Sequence, residues 1–254
     1  MLPHHVKPIY FEGSEHGVLL LHGFTATSDC MAYLAQQLNR AKFSVSAPLL
    51  AGHGTHYQDL EKTSWQDWYQ SAEVAFQELK ARCKTVMVLG LSMGGLLAVH
   101  LCQRHRQAIR AAALLATPLF LDGFLIKALF PFIWKTPLKH LYRYQSKVIV
   151  SIKDPYARKH HLTYDKIPLA SVAALLDLQK TVREELRHFH QPLLLIHSLH
   201  DSTVSYSNMD YIKAMVASKE IKTVTLKKSD HIITVDYEKD RVAREVIRFF
   251  GRYV

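Results

Sequence analysis

A serine flanked by glycines is the first feature of this 254-residue sequence that could do chemistry. The stretch Gly90-Leu91-Ser92-Met93-Gly94 matches G-x-S-x-G and lies between a β-rich run and a helical pattern. A sharp strand–turn–helix connection lifts such a serine above a sheet, and the glycines let neighbouring backbone approach without a clashing side chain. We predict that Ser92 is a nucleophile and that the Met93 amide, at the positive end of the helix, stabilises an oxyanion. The structural alternative is a glycine-rich turn with an incidental serine.

A second oxyanion donor is expected in the small-residue loop that follows the apolar run 18–21. The loop begins with His22, Gly23 and Phe24, and the backbone amide of Phe24 is the candidate donor. We predict a structural role for His22, with its ring hydrogen-bonded to loop backbone. A histidine at the end of a buried strand is more often satisfied in this way than catalytic.

A serine hydroxyl needs a base within hydrogen-bond reach, and the base needs a carboxylate that fixes its tautomer. The sequence has 16 histidines, so position along the predicted sheet must select among them. Asp201 follows the apolar run 193–196, and His231 follows the run 223–226. Both lie where parallel strands end at the ligand-binding edge, which predicts that His231 is the base and Asp201 the acid that orients it.

Other residues compete for these two roles. Asp230 adjoins His231, but adjacent side chains usually diverge, and Asp236 is a weaker rival. His200 adjoins Asp201 and is interpreted as part of the loop architecture. For Asp201, a cap of the following helical segment is the structural alternative.

The candidate residues require a scaffold of alternating strands and helices. Short apolar runs, often rich in β-branched residues, predict buried strands at 18–21, 44–47, 85–89, 111–115, 193–196 and 223–226. Helical patterns lie between these runs, and a last one carries Val242, Val246 and Phe249 on one face. The alternation predicts an α/β fold with a mostly parallel central sheet that is covered by helices on both faces.

The alternation of strands and helices stops between residues 119 and 189, where prolines separate short segments with a helical pattern. This stretch is aromatic and basic, unlike the Gly/Ser composition of a flexible linker. We predict a core formed by residues 1–118 and 190–254, and a small helical insertion over residues 119–189.

Composition narrows the class of protein. The three cysteines show no C-x-x-C spacing, so the sequence predicts neither a disulfide framework nor a metal site. No cofactor is expected. Residues 1–13 contain no apolar run of signal-peptide length, so we expect a cytoplasmic protein.

The formal net charge is +10, and residues 120–190 hold 12 Lys and Arg against 6 Asp and Glu. No nucleic-acid-binding motif accompanies that charge, which is interpreted as a solvated basic surface.

Further motifs carry a resemblance to a known family. They are Leu49-Leu-Ala-Gly-His-Gly54, Trp65-Gln-Asp-Trp68, His200-Asp-Ser-Thr-Val204 and Ser229-Asp-His-Ile-Ile-Thr-Val-Asp236. With the serine and oxyanion motifs they span nearly the whole chain, which resembles a bacterial carboxylesterase or monoacylglycerol lipase of the α/β-hydrolase fold. The resemblance implies that residues 119–189 form a cap over an acyl pocket, with Phe130, Ile133 and Trp134 as candidate lining residues. Ordinary packing of the cap onto the core is the alternative for these three.

We predict a cofactor-free serine esterase that cleaves short- to medium-chain acyl esters or monoacylglycerols through an acyl-enzyme intermediate. The same groups serve thioester, amide or C–C hydrolysis, because the fold does not specify the leaving group. A catalytically silent protein that binds apolar ligands is the alternative from another class. The expected partner is a small-molecule ester and not nucleic acid. Weak contact of the cap with a lipid surface, through Lys127, Lys135 and Lys139, stays open, as does the oligomeric state.

Overall fold

The computed structural model describes residues 6–121, 136, 142–146 and 150–254. In chain order its strands are β1 (Ile9–Phe11), β2 (His16–Leu21), β3 (Ser44–Ala47), β4 (Thr85–Leu91), β5 (Ile109–Leu115), β6 (Tyr144–Ser146), β7 (Lys166–Pro168), β8 (Leu193–Ser198) and β9 (Ile221–Leu226). One sheet has the order β1-β3-β2-β4-β5-β8-β9. Its neighbouring strands are parallel except for β1, which is antiparallel to β3.

Each of the predicted strands is present in this sheet, so the predicted parallel sheet is confirmed. β3 has the predicted bounds, whereas β4 continues past the predicted end at Leu89 to Leu91. The sequence did not predict β1, which pairs Tyr10 with Ser46 at the sheet edge. A partly exposed edge strand of this length carries almost no periodic signal.

Helices cover both faces of the sheet. The α-helices of the described residues are α1 (Ala32–Arg40), α2 (Tyr57–Glu61), α3 (Trp65–Arg82), α4 (Met93–Arg104), α5 (Pro155–His160), α6 (Leu169–Glu185), α7 (Ser207–Met215) and α8 (Lys239–Phe250). α1 and α8 pack on one face and bury Leu34 and Phe249 there. α3 and α4 pack on the other face and bury Phe76 and Leu97. Within the described residues, no helix is both long and apolar enough to cross a membrane.

Local sequence accounts for the helices that surround the candidate site. α3 begins with a capping box, in which the Ser64 hydroxyl accepts from the Asp67 amide and the Asp67 carboxylate accepts from the Ser64 amide. Ala72, Phe76 and Leu79 recur at helical spacing along α3 and are buried. α4 is apolar around most of its circumference because it lies between the sheet, α3 and α6.

Between β5 and β8 the chain leaves the main sheet. The described part of residues 119–189 contains α5, α6 and the antiparallel pair β6–β7, in which Gln145 pairs with Ile167. The prediction of a helical insertion missed this pair, because strands of three residues are too short to show alternation. The division of the chain into a core and a cap at residues 118 and 190 stays a prediction.

Candidate active site

Ser92 lies at the turn between β4 and α4, in a backbone conformation that residues other than glycine rarely adopt. Its φ and ψ are 54° and −122°, and such strain persists only where the surrounding structure enforces it. A side chain at Gly90 would collide with the carbonyl of Gly94, and one at Gly94 would collide with the carbonyl of Leu21. The two glycines therefore let β4, α4 and β2 approach closely enough to form the sharp turn.

The Ser92 hydroxyl contacts a histidine from the far end of the chain. His231 Nε2 lies 2.9 Å from Ser92 Oγ, and His231 Nδ1 lies 2.8 Å from Asp201 Oδ2. Because a carboxylate only accepts, Nδ1 donates to Asp201, which leaves Nε2 to accept from the serine hydroxyl. Side chains from three separate strand ends thus form one hydrogen-bonded series, in an arrangement that can move a proton from the serine to the histidine.

Asp201 has a fully buried side chain and uses both of its oxygens. Oδ1 accepts from the amides of Thr203, at 2.9 Å, and Val204, at 2.7 Å. Oδ2 accepts from His231 and also from His197, whose Nε2 is 3.1 Å away. Burial raises the pKa of the Asp201 carboxyl, but the electrostatic interaction with His231 and the hydrogen bonds to the carboxylate hold that pKa well below its usual range. The carboxyl group is therefore ionised at neutral pH.

The rival residues are engaged elsewhere. The Asp230 carboxylate accepts from the amide of Ser202, at 2.8 Å, and from its hydroxyl, at 2.9 Å. His200 is exposed on the loop that precedes Asp201. These positions favour Asp201 over Asp230 as the partner of His231.

Two further carboxylates hold the loop that carries His231. Glu238 Oε2 accepts from the consecutive amides of residues 227–229. The buried Asp236 accepts from the Asp230 amide at 2.7 Å and from two amides of the insertion. Asp236, a rival for the role of acid, therefore connects the loop that carries His231 to residues 153 and 154 by hydrogen bonds.

The loop after β2 lies beside Ser92. A Cβ atom added to Gly23 would come within 3.3 Å of the Ser92 Cβ, so the Gly23–Phe24 peptide borders the serine. Among the described residues, the Phe24 amide makes no hydrogen bond to a backbone carbonyl. Met93 is the first residue of α4, where backbone amides lack an intrahelical partner. Both predicted donors thus adjoin Ser92, and their role stays a prediction.

Two buried histidines contact the loop that follows β2. His22 Nδ1 donates to the Gly23 carbonyl at 3.0 Å, and its Nε2 accepts from the Leu50 amide at 3.1 Å, as its predicted structural role requires. The His53 ring lies 5.0 Å from that of His22 and 6.4 Å from that of Phe24, between ring centres. Burial lowers the pKa of His22 to about 4, and burial together with the nearby His22 lowers the pKa of His53 to about 3. Both rings are therefore neutral at pH 7.

The sequence did not predict that His197 belongs to the site. Periodicity only assigns this residue to a buried strand and does not show that its side chain reaches a loop carboxylate. The available signal was its position four residues before Asp201. The predicted substrate-binding residues Phe130, Ile133 and Trp134 lie outside the described residues.

The family of the chain follows from comparison with known proteins. The family model described as serine aminopeptidase, S33 matches residues 14–238, which is most of the chain. The chain belongs to this family of α/β hydrolases. Membership confirms the family assignment that the sequence motifs predicted.

Curated relatives of this S33-family chain match it over nearly their full length. A thermostable monoacylglycerol lipase of Bacillus sp. (strain H-257) is 34% identical over 250 residues, which are 97% of this chain and 95% of the relative. A carboxylesterase of Bacillus subtilis (strain 168) is 25% identical over 97% of this chain and 96% of its own.

Solved structures share the fold. A structure from work on the metagenome-derived lipolytic enzymes LipS and LipT has a TM-score of 0.90 and 27% identity, with 99% of each chain covered. The monoacylglycerol lipase of Paleococcus ferrophilus has a TM-score of 0.81 and 18% identity, over 97% of this chain and 98% of the other. The predicted α/β-hydrolase fold is therefore confirmed for this S33-family member.

Proposed function

We propose that this S33-family chain is a serine hydrolase that cleaves carboxylic esters, with Ser92 as nucleophile, His231 as base and Asp201 as acid. One observation carries the proposal: hydrogen bonds of 2.9 and 2.8 Å connect the serine hydroxyl, the imidazole and the buried carboxylate. The names of the two curated relatives, a monoacylglycerol lipase and a carboxylesterase, support the ester class that the sequence predicted.

In the proposed first step, Ser92 Oγ attacks the carbonyl carbon of the ester while its proton passes to His231 Nε2. The carbonyl π electrons move onto oxygen, and the histidine becomes an imidazolium. The ionised Asp201, 2.8 Å from Nδ1, stabilises that positive charge and holds the ring in the tautomer that can accept at Nε2.

The amides of Phe24 and Met93 are proposed to donate to the oxyanion. The position of the Gly23–Phe24 peptide beside Ser92 and the position of Met93 at the start of α4 support this assignment. Donors that are fixed before the reaction need no reorganisation, and one such donor typically contributes about 100- to 1,000-fold in kcat. The neutral His22 holds the carbonyl of Gly23, so the Phe24 amide next to it is fixed as well.

The proposed intermediate collapses by breaking the bond between the carbonyl carbon and the leaving-group oxygen, which takes the proton from His231. The acyl group then remains on Ser92 Oγ. Water attacks that acyl group as His231 accepts its proton. The second tetrahedral intermediate then collapses, the bond between the acyl carbon and Oγ breaks, and His231 returns the proton to Oγ as the carboxylic acid departs. The residues of this chain are restored without a cofactor.

The proposed substrates are short- to medium-chain acyl esters or monoacylglycerols. The name of the Bacillus sp. relative supports the second class. A cap over residues 119–189, with Phe130, Ile133 and Trp134 at the acyl chain, is the proposed source of chain-length preference. Each methylene that such a pocket buries contributes about 0.8 kcal/mol. A salt-dependent contact of this cap with anionic lipid belongs to the same proposal.

We propose a cytoplasmic location on the basis of the cysteines. Cys30, Cys83 and Cys102 are free and buried, which is the state expected in a reducing compartment.

Peptide hydrolysis is the second candidate function, because the family description names an aminopeptidase. Amide cleavage uses the same nucleophile, base and oxyanion donors, and differs in the leaving group that His231 must protonate. The choice between the two functions therefore depends on measured substrate preference.

Hydrolysis assays on matched variants test the proposal. Wild type, Ser92→Ala and the control Ser207→Ala, at an exposed serine of α7, are assayed with p-nitrophenyl butyrate, a monoacylglycerol and an aminoacyl p-nitroanilide. We expect ester hydrolysis that Ser92→Ala lowers by roughly three orders of magnitude or more and that the control leaves unchanged. Faster cleavage of the anilide would establish the peptidase function instead. A folded wild type that cleaves none of the three would point to the silent binding protein.

A further inference from the structure

His197 is a second histidine on the Asp201 carboxylate, and the mechanism above does not use it. Its Nε2 lies 3.1 Å from Asp201 Oδ2 and 3.0 Å from the Val204 carbonyl oxygen. Both partners accept, since the Asp201 carboxyl is ionised, so the ring carries its proton on Nε2 and shares it between them. The His197 side chain is 2% exposed, which leaves the protein itself as the partner of this N–H.

His197 and Asp201 close a ring of hydrogen bonds on the acid loop. The Val204 amide donates to Asp201 Oδ1 at 2.7 Å, while the Val204 carbonyl accepts from His197. His197 therefore contacts one oxygen of the carboxylate and also the residue that holds the other oxygen. Such a connected set of contacts fixes the rotation of the carboxylate about its Cβ–Cγ bond.

The His197 ring is itself held by rigid elements. It projects from β8, where His197 lies opposite Thr225 of β9 in the sheet register. The Tyr206 ring, at the start of α7, lies 5.8 Å from the His197 ring between centres, and Tyr206 Oη lies 2.7 Å from Thr225 Oγ1. A donor on a packed strand is positioned more accurately than a donor on a loop.

We infer that His197 is a positioning residue for ester hydrolysis, whose Nε2–H holds Asp201 so that Oδ2 faces His231 Nδ1. This inference rests on the proposed function. Within the part of the chain that the structure describes, loss of the His197 N–H leaves His231 as the remaining side-chain donor to Oδ2. It also removes one side of the hydrogen-bond ring. The carboxylate keeps the Thr203 and Val204 amides at Oδ1 and His231 at Oδ2, but its rotation is less restricted. The loss should therefore fall on the chemical step and not on ester binding.

Two substitutions at His197 and one control separate this role from simple packing. His197→Phe keeps a ring against Tyr206 but removes the N–H, whereas His197→Gln retains an amide N–H near the position of Nε2. His200→Phe is the matched control, because His200 is exposed and also adjoins Asp201. For p-nitrophenyl butyrate we expect His197→Phe to lower kcat by roughly tenfold or more with KM changed by less than about twofold. His197→Gln should recover most of that loss, and the control should match wild type.

Nuclear magnetic resonance tests the same inference, and its measurement on wild type does not depend on the folding of any variant. Nitrogen-15 spectra of the histidine side chains should show His197 protonated at Nε2. The downfield proton of His231 Nδ1–H should shift in His197→Phe and keep its wild-type position in His197→Gln.

Two results would overturn the inference. One is an unprotonated His197 Nε2 in wild type, and the other is a folded His197→Phe protein with wild-type kcat and an unchanged His231 proton signal. Failure of the proposed function would be recognised separately, because Ser92→Ala would then retain the activity of wild type.

Discussion

His231 Nε2 and Ser92 Oγ lie 2.9 Å apart although 139 positions separate the two residues in the chain. β4 and β9 are not neighbours in the sheet, since β5 and β8 lie between them. The loops that follow these parallel strands nevertheless open at the same edge, where their side chains can meet. The contact therefore depends on the order of the whole sheet, and the roles proposed for the two residues can be tested one by one.

Replacement of Asp201 should cost far more turnover than replacement of Asp230. Asp201→Asn places an amide against His231 Nδ1 and favours the wrong tautomer, so kcat should fall about ten-thousand-fold. Asp230→Asn keeps an acceptor oxygen for the Ser202 amide and should change kcat by less than about tenfold. Both are measured with p-nitrophenyl butyrate under one condition. A larger loss in Asp230→Asn would mean that the acid has been misassigned.

The strained backbone of Ser92 should make glycine more stable than alanine at this position. At φ 54° and ψ −122°, an alanine meets the steric cost that a glycine avoids, so Ser92→Gly should exceed Ser92→Ala in free energy of unfolding by about 1 kcal/mol. Urea denaturation measures the difference. In the exposed interior of α1 the order should reverse, with Gln36→Gly less stable than Gln36→Ala by about 1 kcal/mol. The same order at both positions would argue against strain at Ser92.

Burial of His22 should make the protein less stable in mild acid. Its pKa is lowered to about 4, whereas an unfolded histidine titrates near 6.5. The native state therefore binds the proton more weakly than the unfolded state does. The stabilisation is complete above about pH 6.5 and is lost as the pH falls toward about 4, by an amount on the order of 3 kcal/mol.

His22→Gln should remove this part of the pH dependence, because glutamine does not titrate and its oxygen can accept from the Leu50 amide. The free energy of unfolding is compared at about pH 7.5 and about pH 4.5 in wild type, His22→Gln and His190→Gln, a control at an exposed histidine. Wild type and the control should lose more stability between the two pH values than His22→Gln. Equal losses in all three would show that His22 does not titrate as its burial requires.

The sequence predicted the residues whose proposed roles follow from their positions at strand ends. Ser92, Asp201 and His231 each come directly after or soon after an apolar run, and parallel strands bring such ends together. The sequence also predicted the role of the two glycines around Ser92, because only a small residue permits the close backbone approach that the turn needs. These features depend on local pattern and on one topological rule.

The remaining features depend on contacts that no local pattern records. His197 looks like any other residue of a buried strand, and its bond to Asp201 appears only once the loop has folded back over the strand end. The strands β1, β6 and β7 have three residues each and are too short to show alternation. The carboxylates of Asp236 and Glu238 accept hydrogen bonds from backbone amides. Every residue except proline has such an amide, so the sequence does not show which amides a carboxylate will bind.

Acyl chain length should affect the rate if residues 119–189 form the proposed cap. Each buried methylene contributes about 0.8 kcal/mol, so kcat/KM should rise from acetate to butyrate and octanoate esters in wild type. Phe130→Ala and Trp134→Ala should reduce that rise. Tyr156→Ala, which alters a side chain 75% exposed on α5, is the control and should not. A flat profile that neither substitution changes would remove the pocket assignment.

Covalent labelling of wild type tests the proposed nucleophile most directly. A fluorophosphonate reacts with a serine that a neighbouring base has activated, and peptide mapping by mass spectrometry locates the adduct. We expect one phosphonyl group per chain, on Ser92, with no adduct in Ser92→Ala and much slower labelling in His231→Gln. An adduct on a different residue, or a folded wild type that does not react at all, would contradict the assignment of Ser92 as the nucleophile.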